Sequence, residues 1–175
     1  MEFDLINGRL LLERTPATLR ALLGGLPDRW TRADEGANTW SPHEVVAHLI
    51  NGERTDWIPR ARLILAGDPS ATFVPFDREG FFAEGRARPL SELLDLFASL
   101  RAESLAALDS MQIGQRELDL TARHPGLGTV TMRQLLSSWV VHDLGHIVQV
   151  SRTLARQLRK EVGPWTAYLG VLGSA

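Results

Sequence analysis

The sequence predicts an all-α protein built as a four-helix bundle, and three observations carry that reading. Four long segments place apolar residues at helical spacing. Two of them open on capping signals, Ser41-Pro42-His43-Glu44 and Thr131-Met132-Arg133-Gln134. No segment shows sustained strand alternation. Helices that each carry one apolar stripe bury those stripes against one another, which is the logic of a bundle. The 175 residues are enough for one domain with a substantial core, and that domain is expected to span residues 1–175.

The first helix is expected over about residues 3–23. Phe3, Ile6, Leu10, Leu19, Leu22 and Leu23 supply its apolar face. Pro16 should kink it or restart it with Thr15 as the cap, and the Gly24-Gly25-Leu26-Pro27 run should end it. The second helix has the clearest start in the chain. Ser41 is a good N-cap, Pro42 fits the first helical position, and Glu44 completes a capping box. It should run to about residue 65, with a bend at Pro59.

Residues 66–88 then form a connection too long for neighbouring antiparallel helices. Such a crossover lets the second and third helices run parallel. Phe73, Phe76, Phe81 and Phe82 lie in it, so it should pack down as a lid. The third helix spans about residues 90–111, with Leu93, Leu96, Phe97, Leu100, Leu105 and Leu108 as its stripe. Residues 112–130 are mixed, with a turn at 124–128 and a potentially extended stretch before it. The fourth helix starts after Thr131 and should run to about Glu161, where Gly163 and Pro164 stop it. The tail beyond has enough apolar mass to pack back on the body.

Composition narrows the function. There are no cysteines, which removes disulfides, thiolate metal sites and cysteine nucleophiles. A formal charge of -2 without an evident basic stripe gives no reason to expect a nucleic-acid partner. The first residues lack the apolar core of a signal peptide, and no apolar run is long enough to span a bilayer. A cytoplasmic protein acting on a small molecule is therefore the expectation, with no membrane partner.

Histidines hold the sharpest signal. His142 and His146 are four residues apart in a helix, so they share a face. Gly145 between them costs about 1 kcal/mol of helix propensity, which suggests room for a ligand or a close helix. His48 lies about 10 Å into the second helix, with Gly52 one turn later. If the second and fourth helices are neighbours, the three imidazoles converge. Three histidines with an open fourth position are the ligand set of a catalytic zinc site, and nickel, cobalt or iron also accept imidazole. A lone histidine pair on a helix is weak evidence by itself. His43, near the helix start, reads as surface, and His124 reads as a solvated turn residue.

The motifs WSPHEVVAHL at 40–49 and HDLGHIVQV at 142–150, the long spacing between them, and the closing GPWTAYLGVL at 163–172 resemble the DinB-like (DinB/YfiT-like) metalloenzyme superfamily. The resemblance covers essentially the whole chain. It implies an up-down-down-up four-helix bundle and a divalent metal, zinc or nickel, held by His48, His142 and His146. Some relatives transfer low-molecular-weight thiols to electrophiles or isomerise maleylpyruvate with a thiol cofactor, and many have no known reaction. A thiol cofactor would suit a chain without cysteine of its own.

Such a metal lowers the pKa of a water or thiol and so supplies a nucleophile near neutral pH. A hydrolytic reaction also needs a general base. Glu44, Glu53, Asp56 and Asp143 are candidates, but none is compelling, and each has a solvated helix face as the plainer reading. Arg54 and Arg60 could hold an anionic thiol cofactor, and of Trp40, Trp57 and Trp139 the last has the best case for a pocket wall. Three classes stay open: a metal-dependent thiol transferase, a metal-dependent hydrolase, and a non-enzymatic metal- or ligand-binding module. A homodimer through exposed helix faces is open in each.

Overall fold

The computed structural model of the chain describes residues 2–173. Helix α1 (Leu5–Leu23) is followed by a single turn, α2 (Asp28–Thr31). The second long helix comes in two pieces, α3 (Pro42–Thr55) and α4 (Trp57–Leu65). A short α5 (Phe82–Arg86) lies in the crossover, and α6 (Leu90–Ser110) is the third long helix. A turn of helix, α7 (Gln115–Leu118), and a hairpin, β1 (Thr121–His124) with β2 (Gly128–Thr131), precede α8 (Met132–Arg156). The four principal helices run up-down-down-up, with α1 packed on α6 and α8, and α3 packed on α6 and α8. Among the described residues no helix is long and apolar enough to cross a membrane.

Both sequence-encoded capping boxes form. Ser41 Oγ accepts from the Glu44 amide, and the Glu44 carboxylate accepts from the Ser41 amide. Thr131 and Gln134 do the same at the start of α8. Each box satisfies amides that have no partner within the helix, and so fixes where α3 and α8 begin.

The prolines act differently from the expectation. Pro16 does not restart α1: the helix is continuous from Leu5 to Leu23 and is capped at Asp4, not Thr15. Proline at 16 leaves the Leu12 carbonyl without its helical donor. Arg101 Nη1 fills that role across the bundle at 2.8 Å. The buried face of α1 is Gly8, Leu12, Thr15, Leu19 and Leu23, while Ile6 and Leu10 face outward. Of the expected face, Leu19 and Leu23 are buried and Phe3 and Leu22 pack against the core, so only Ile6 and Leu10 depart from it. Farther on, the second helix breaks at Asp56 rather than bending at Pro59. The Pro59 ring cannot coexist with a helical Thr55 carbonyl, so the interruption falls before it and Pro59 lies in the first turn of α4.

The crossover packs down as expected, with Phe73, Phe81 and Phe82 buried. The mixed region departs from the pure α reading. It forms the β1–β2 hairpin, in register His124 with Gly128 and Thr121 with Thr131, bridged to Thr72 of the crossover. Four-residue strands are too short to show alternation in a sequence. The fourth helix ends at Arg156, not near Glu161, and 157–162 continue as turns. In the tail Leu172 is buried, but Trp165 and Tyr168 are exposed.

Candidate metal centre

The site is built from α3 and α8. The capping box sets the register of α3, and seven residues after Ser41 His48 faces α8, only 3 % exposed. His142 and His146, one turn apart in α8, face it. His48 Nε2 lies 3.0 Å from His142 Nε2, and His146 Nε2 lies 3.0 Å from the same atom. One ligand atom from each of the three histidines falls within 4.8 Å of the others. Nitrogens bound tetrahedrally at 2.0–2.1 Å to one zinc are about 3.3 Å apart, so the spacing is close to that of a ligand set.

Hydrogen bonds fix which nitrogen is free in two of the three rings, those of His48 and His146. A carbonyl can only accept, so His48 Nδ1–H donates to the Arg78 carbonyl at 2.9 Å, and Nε2 keeps its lone pair. His146 Nδ1 donates to Gln149 Oε1 at 2.9 Å. His142 Nδ1 faces the Asp143 carboxylate at 3.9 Å. Two Nε2 lone pairs, of His48 and His146, therefore point at the Nε2 of His142, and the three nitrogens together suit a cation. Carbonyl, amide and carboxylate behind the rings are the usual orienting partners of metal-binding histidines. Burial lowers the His48 pKa to about 4 despite the Arg78 carbonyl. Burial and the neighbouring His142 and His48 lower that of His146 to about 3. Both rings are neutral at neutral pH and able to donate to a metal without first losing a proton.

Behind His142 lies a buried network that the sequence did not announce. Arg101, 1 % exposed, donates from Nη2 to Glu53 at 2.6 Å and from Nη1 to Asp143 at 2.6 Å. Glu53 comes from α3, Arg101 from α6, Asp143 from α8 and the Leu12 carbonyl from α1, so all four principal helices meet here. Burial raises the Glu53 pKa against the pull of Arg101. It acts the same way on Asp143, but the facing His142 and Arg101 outweigh it and hold that carboxyl below the ordinary range.

The other candidates sort differently from the expectation. Glu44 is committed to the cap and to Arg86, as its capping motif implied. Glu53 and Asp143 are not solvated but locked on Arg101, and Asp56 pairs with Arg60 at 2.6 Å. Arg60 is taken up by Asp56, while the exposed Arg54 sits over Phe81 with Glu84 at 3.8 Å. His43 is buried, not surface: its Nε2 meets the Arg88 carbonyl at 3.1 Å, because the segment leading into α6 covers the start of α3. His124 is half-buried against Phe73, and its Nδ1 accepts the turn amides of Gly126 and Leu127.

Trp139 is core rather than pocket wall, stacked on Trp57 at 5.6 Å. Trp40 is the wall, 4.7 Å from the His48 ring and stacked on His146 at 6.2 Å, while Trp57 lies edge-on to His142. Gly52 makes room for the Trp57 indole, which a Cβ would meet at 3.1 Å, and Gly145 faces open space. The room at Gly52 is thus taken by an indole and not by a ligand. Arg78, Gln149, Arg152 and Glu35 surround a small cavity against His146 and Trp40. Of these only Gln149 had a sequence signal, its position one turn after the histidine pair.

The cluster is able to chelate a divalent metal. Comparison with curated proteins gives no match. Among solved structures, YfiT from Bacillus subtilis aligns with a TM-score of 0.76 at 20 % identity, over 89 % of this chain and 94 % of that one. That protein is described as a probable metal-dependent hydrolase with an unusual four-helix bundle topology. At this identity the likeness establishes the fold alone. The DinB superfamily profile matches residues 11–163, and with that extent of match the chain belongs to the DinB superfamily.

Proposed function

We propose that the protein is a divalent-metal-dependent enzyme acting on a small molecule, with His48, His142 and His146 as ligands of zinc or nickel. The observation that carries this is the convergence of three Nε2 atoms whose Nδ1 sides face a carbonyl, an amide oxygen and a carboxylate. When bound, the metal supplies Lewis-acid chemistry and lowers the pKa of a water or thiol. The chain's own contribution is positional. Arg78 and Gln149 hold two ring tautomers, Asp143 faces the third ring, and Trp40 walls one side.

Glu44, Glu53, Asp56 and Asp143 are all paired with arginine, which leaves none of these four as a free general base. That favours transfer of a low-molecular-weight thiol: with an ordinary pKa of about 8.5 against about 15.7 for water, a thiol would need less help to lose its proton to solvent beside a metal held by the three histidines. Hydrolysis is the second reading, supported by the likeness to YfiT. The test begins with metal content by plasma mass spectrometry on wild type and on His48→Ala, His142→Ala and His146→Ala. About one zinc or nickel per wild-type chain, lost in each variant, is expected. A wild type that stays empty after reconstitution with both metals overturns the reading. Turnover of electrophiles only with thiol selects transfer, turnover of esters or amides without thiol selects hydrolysis, and bound metal with neither leaves a binding module. Val141, Leu144 and Val148 form an exposed apolar stripe on α8 that a homodimer would cover, and light scattering reads that state directly.

A further inference from the structure

We propose that Arg78 and Arg152 form an anion subsite beside the three histidines, fitted to the carboxylate of a small-molecule substrate. The inference rests on the metalloenzyme reading and adds the substrate class. The cavity against His146 has a volume of ≈ 170 Å³, with Trp40, Arg78, Gln149, Arg152 and Glu35 around it. That is well below the roughly 300–1,000 Å³ of pockets for drug-sized ligands, so it takes a small group rather than a whole large molecule.

Glu35 does not make the cavity anionic. Its carboxylate is buried and accepts from Arg152 Nε at 2.9 and 3.1 Å, from Thr153 Oγ1 at 2.9 Å and from Arg156. Arg78 and Arg152 against Glu35 leave one positive charge in the cavity lining, and Arg156 reaches the Glu35 carboxylate from outside that lining. Arg152 binds Glu35 through Nε only, so its two terminal nitrogens have no hydrogen-bond partner among the described residues. Arg78, unlike Arg152, forms no ion pair among the described residues. Its guanidinium lies over the Trp40 ring at 5.2 Å, and that ring packs against His48. Two guanidinium groups with free donors match the planar, two-oxygen geometry of a carboxylate. The backbone carbonyl of the same Arg78 holds His48, so the anion subsite and the histidine cluster share one segment.

The test uses zinc-loaded protein and calorimetric titration with 3-mercaptopropionate and 4-mercaptobutyrate, each against its neutral amide. The thiol reports the metal, and the carboxylate reports the subsite. At least one acid is expected to bind tenfold or more tightly than its amide. That advantage should fall close to one in Arg78→Gln and in Arg152→Lys, with amide affinities unchanged. Arg78 is exposed and Arg152→Lys keeps a charge on Glu35, so both variants are expected to fold. Equal binding of acid and amide, or an advantage that survives both substitutions, overturns the subsite while leaving the metal reading intact. If the chain takes up no zinc, the metal reading fails, and glutarate against glutaramide on metal-free protein decides the subsite. Saturable fluorescence quenching by glutarate that disappears in Arg78→Gln and in Trp40→Phe supports it, and no saturable change overturns it.

Discussion

Arg101 shows what a single residue can decide in this protein. It is an arginine in the middle of a stripe otherwise read as apolar, and it is buried between two carboxylates, a carbonyl and the rings of Phe97 and Trp139. Removing one partner of a buried ion network leaves the others charged and unpaired, at a cost of about 3–5 kcal/mol. Arg101→Met is therefore expected to destabilise the chain by that amount in chemical denaturation, where an exposed arginine such as Arg62 would change little. A loss below about 1 kcal/mol would show that the network contributes no more than a surface pair. Nothing local in the sequence marks it. Glu53, Arg101 and Asp143 are 48 and 42 residues apart and each reads as a charged helix residue until the helices are assembled.

Glycines test the elements. Gly145 lies inside α8 with nothing near its absent Cβ, so Gly145→Ala should gain about 0.5–1 kcal/mol of helix stability without altering metal uptake. Gly85 is the opposite case. A Cβ there would meet the Ala47 Cβ at 2.8 Å, where α5 docks the crossover on α3. Gly85→Ala should cost about 1–3 kcal/mol through overpacking. Thermal unfolding of the two variants side by side reads both signs, and a stabilised Gly85→Ala would mean that the crossover is not held tightly against α3. The broken second helix belongs to this scale as well: the sequence placed the disturbance near Pro59, but the clash acts four residues upstream, so the break lies at Asp56.

For the whole molecule, the buried histidines set the response to acid. Burial lowers the pKa values of His43, His48 and His146, the last two to about 4 and about 3. In the unfolded chain each titrates near the ordinary 6.5. Below that pH the unfolded state binds protons that the folded state refuses, so metal-free protein loses stability as pH falls. Each group contributes up to about 1.4 kcal/mol per pH unit down to its folded pKa. Denaturant titrations of chelator-treated protein at pH 7, 6 and 5 should show this slope, and His43→Asn should reduce it by one proton. A flat profile would contradict neutral burial of these rings. Zinc that binds the folded state alone should raise the unfolding midpoint with rising concentration.

The sequence by itself determined the bundle, the starts of α3 and α8, the parallel crossover and the face shared by His142 and His146. Those features are written in caps, periods and connection lengths, which act over a few residues. It also pointed to His48, through its depth in the second helix and through the resemblance its motifs carry. Tertiary structure alone decided that His48 reaches the other two, that Trp40 rather than Trp139 walls the site, that His43 is covered, and that Arg78 and Arg152 face one cavity. Each of those depends on which side of one helix meets another, and spacing along a chain fixes the face of a helix but not its partner. The continuity of α1 was decided in the same way: Pro16 reads as a break only until Arg101, 89 residues away in sequence from Leu12, takes up the carbonyl it frees.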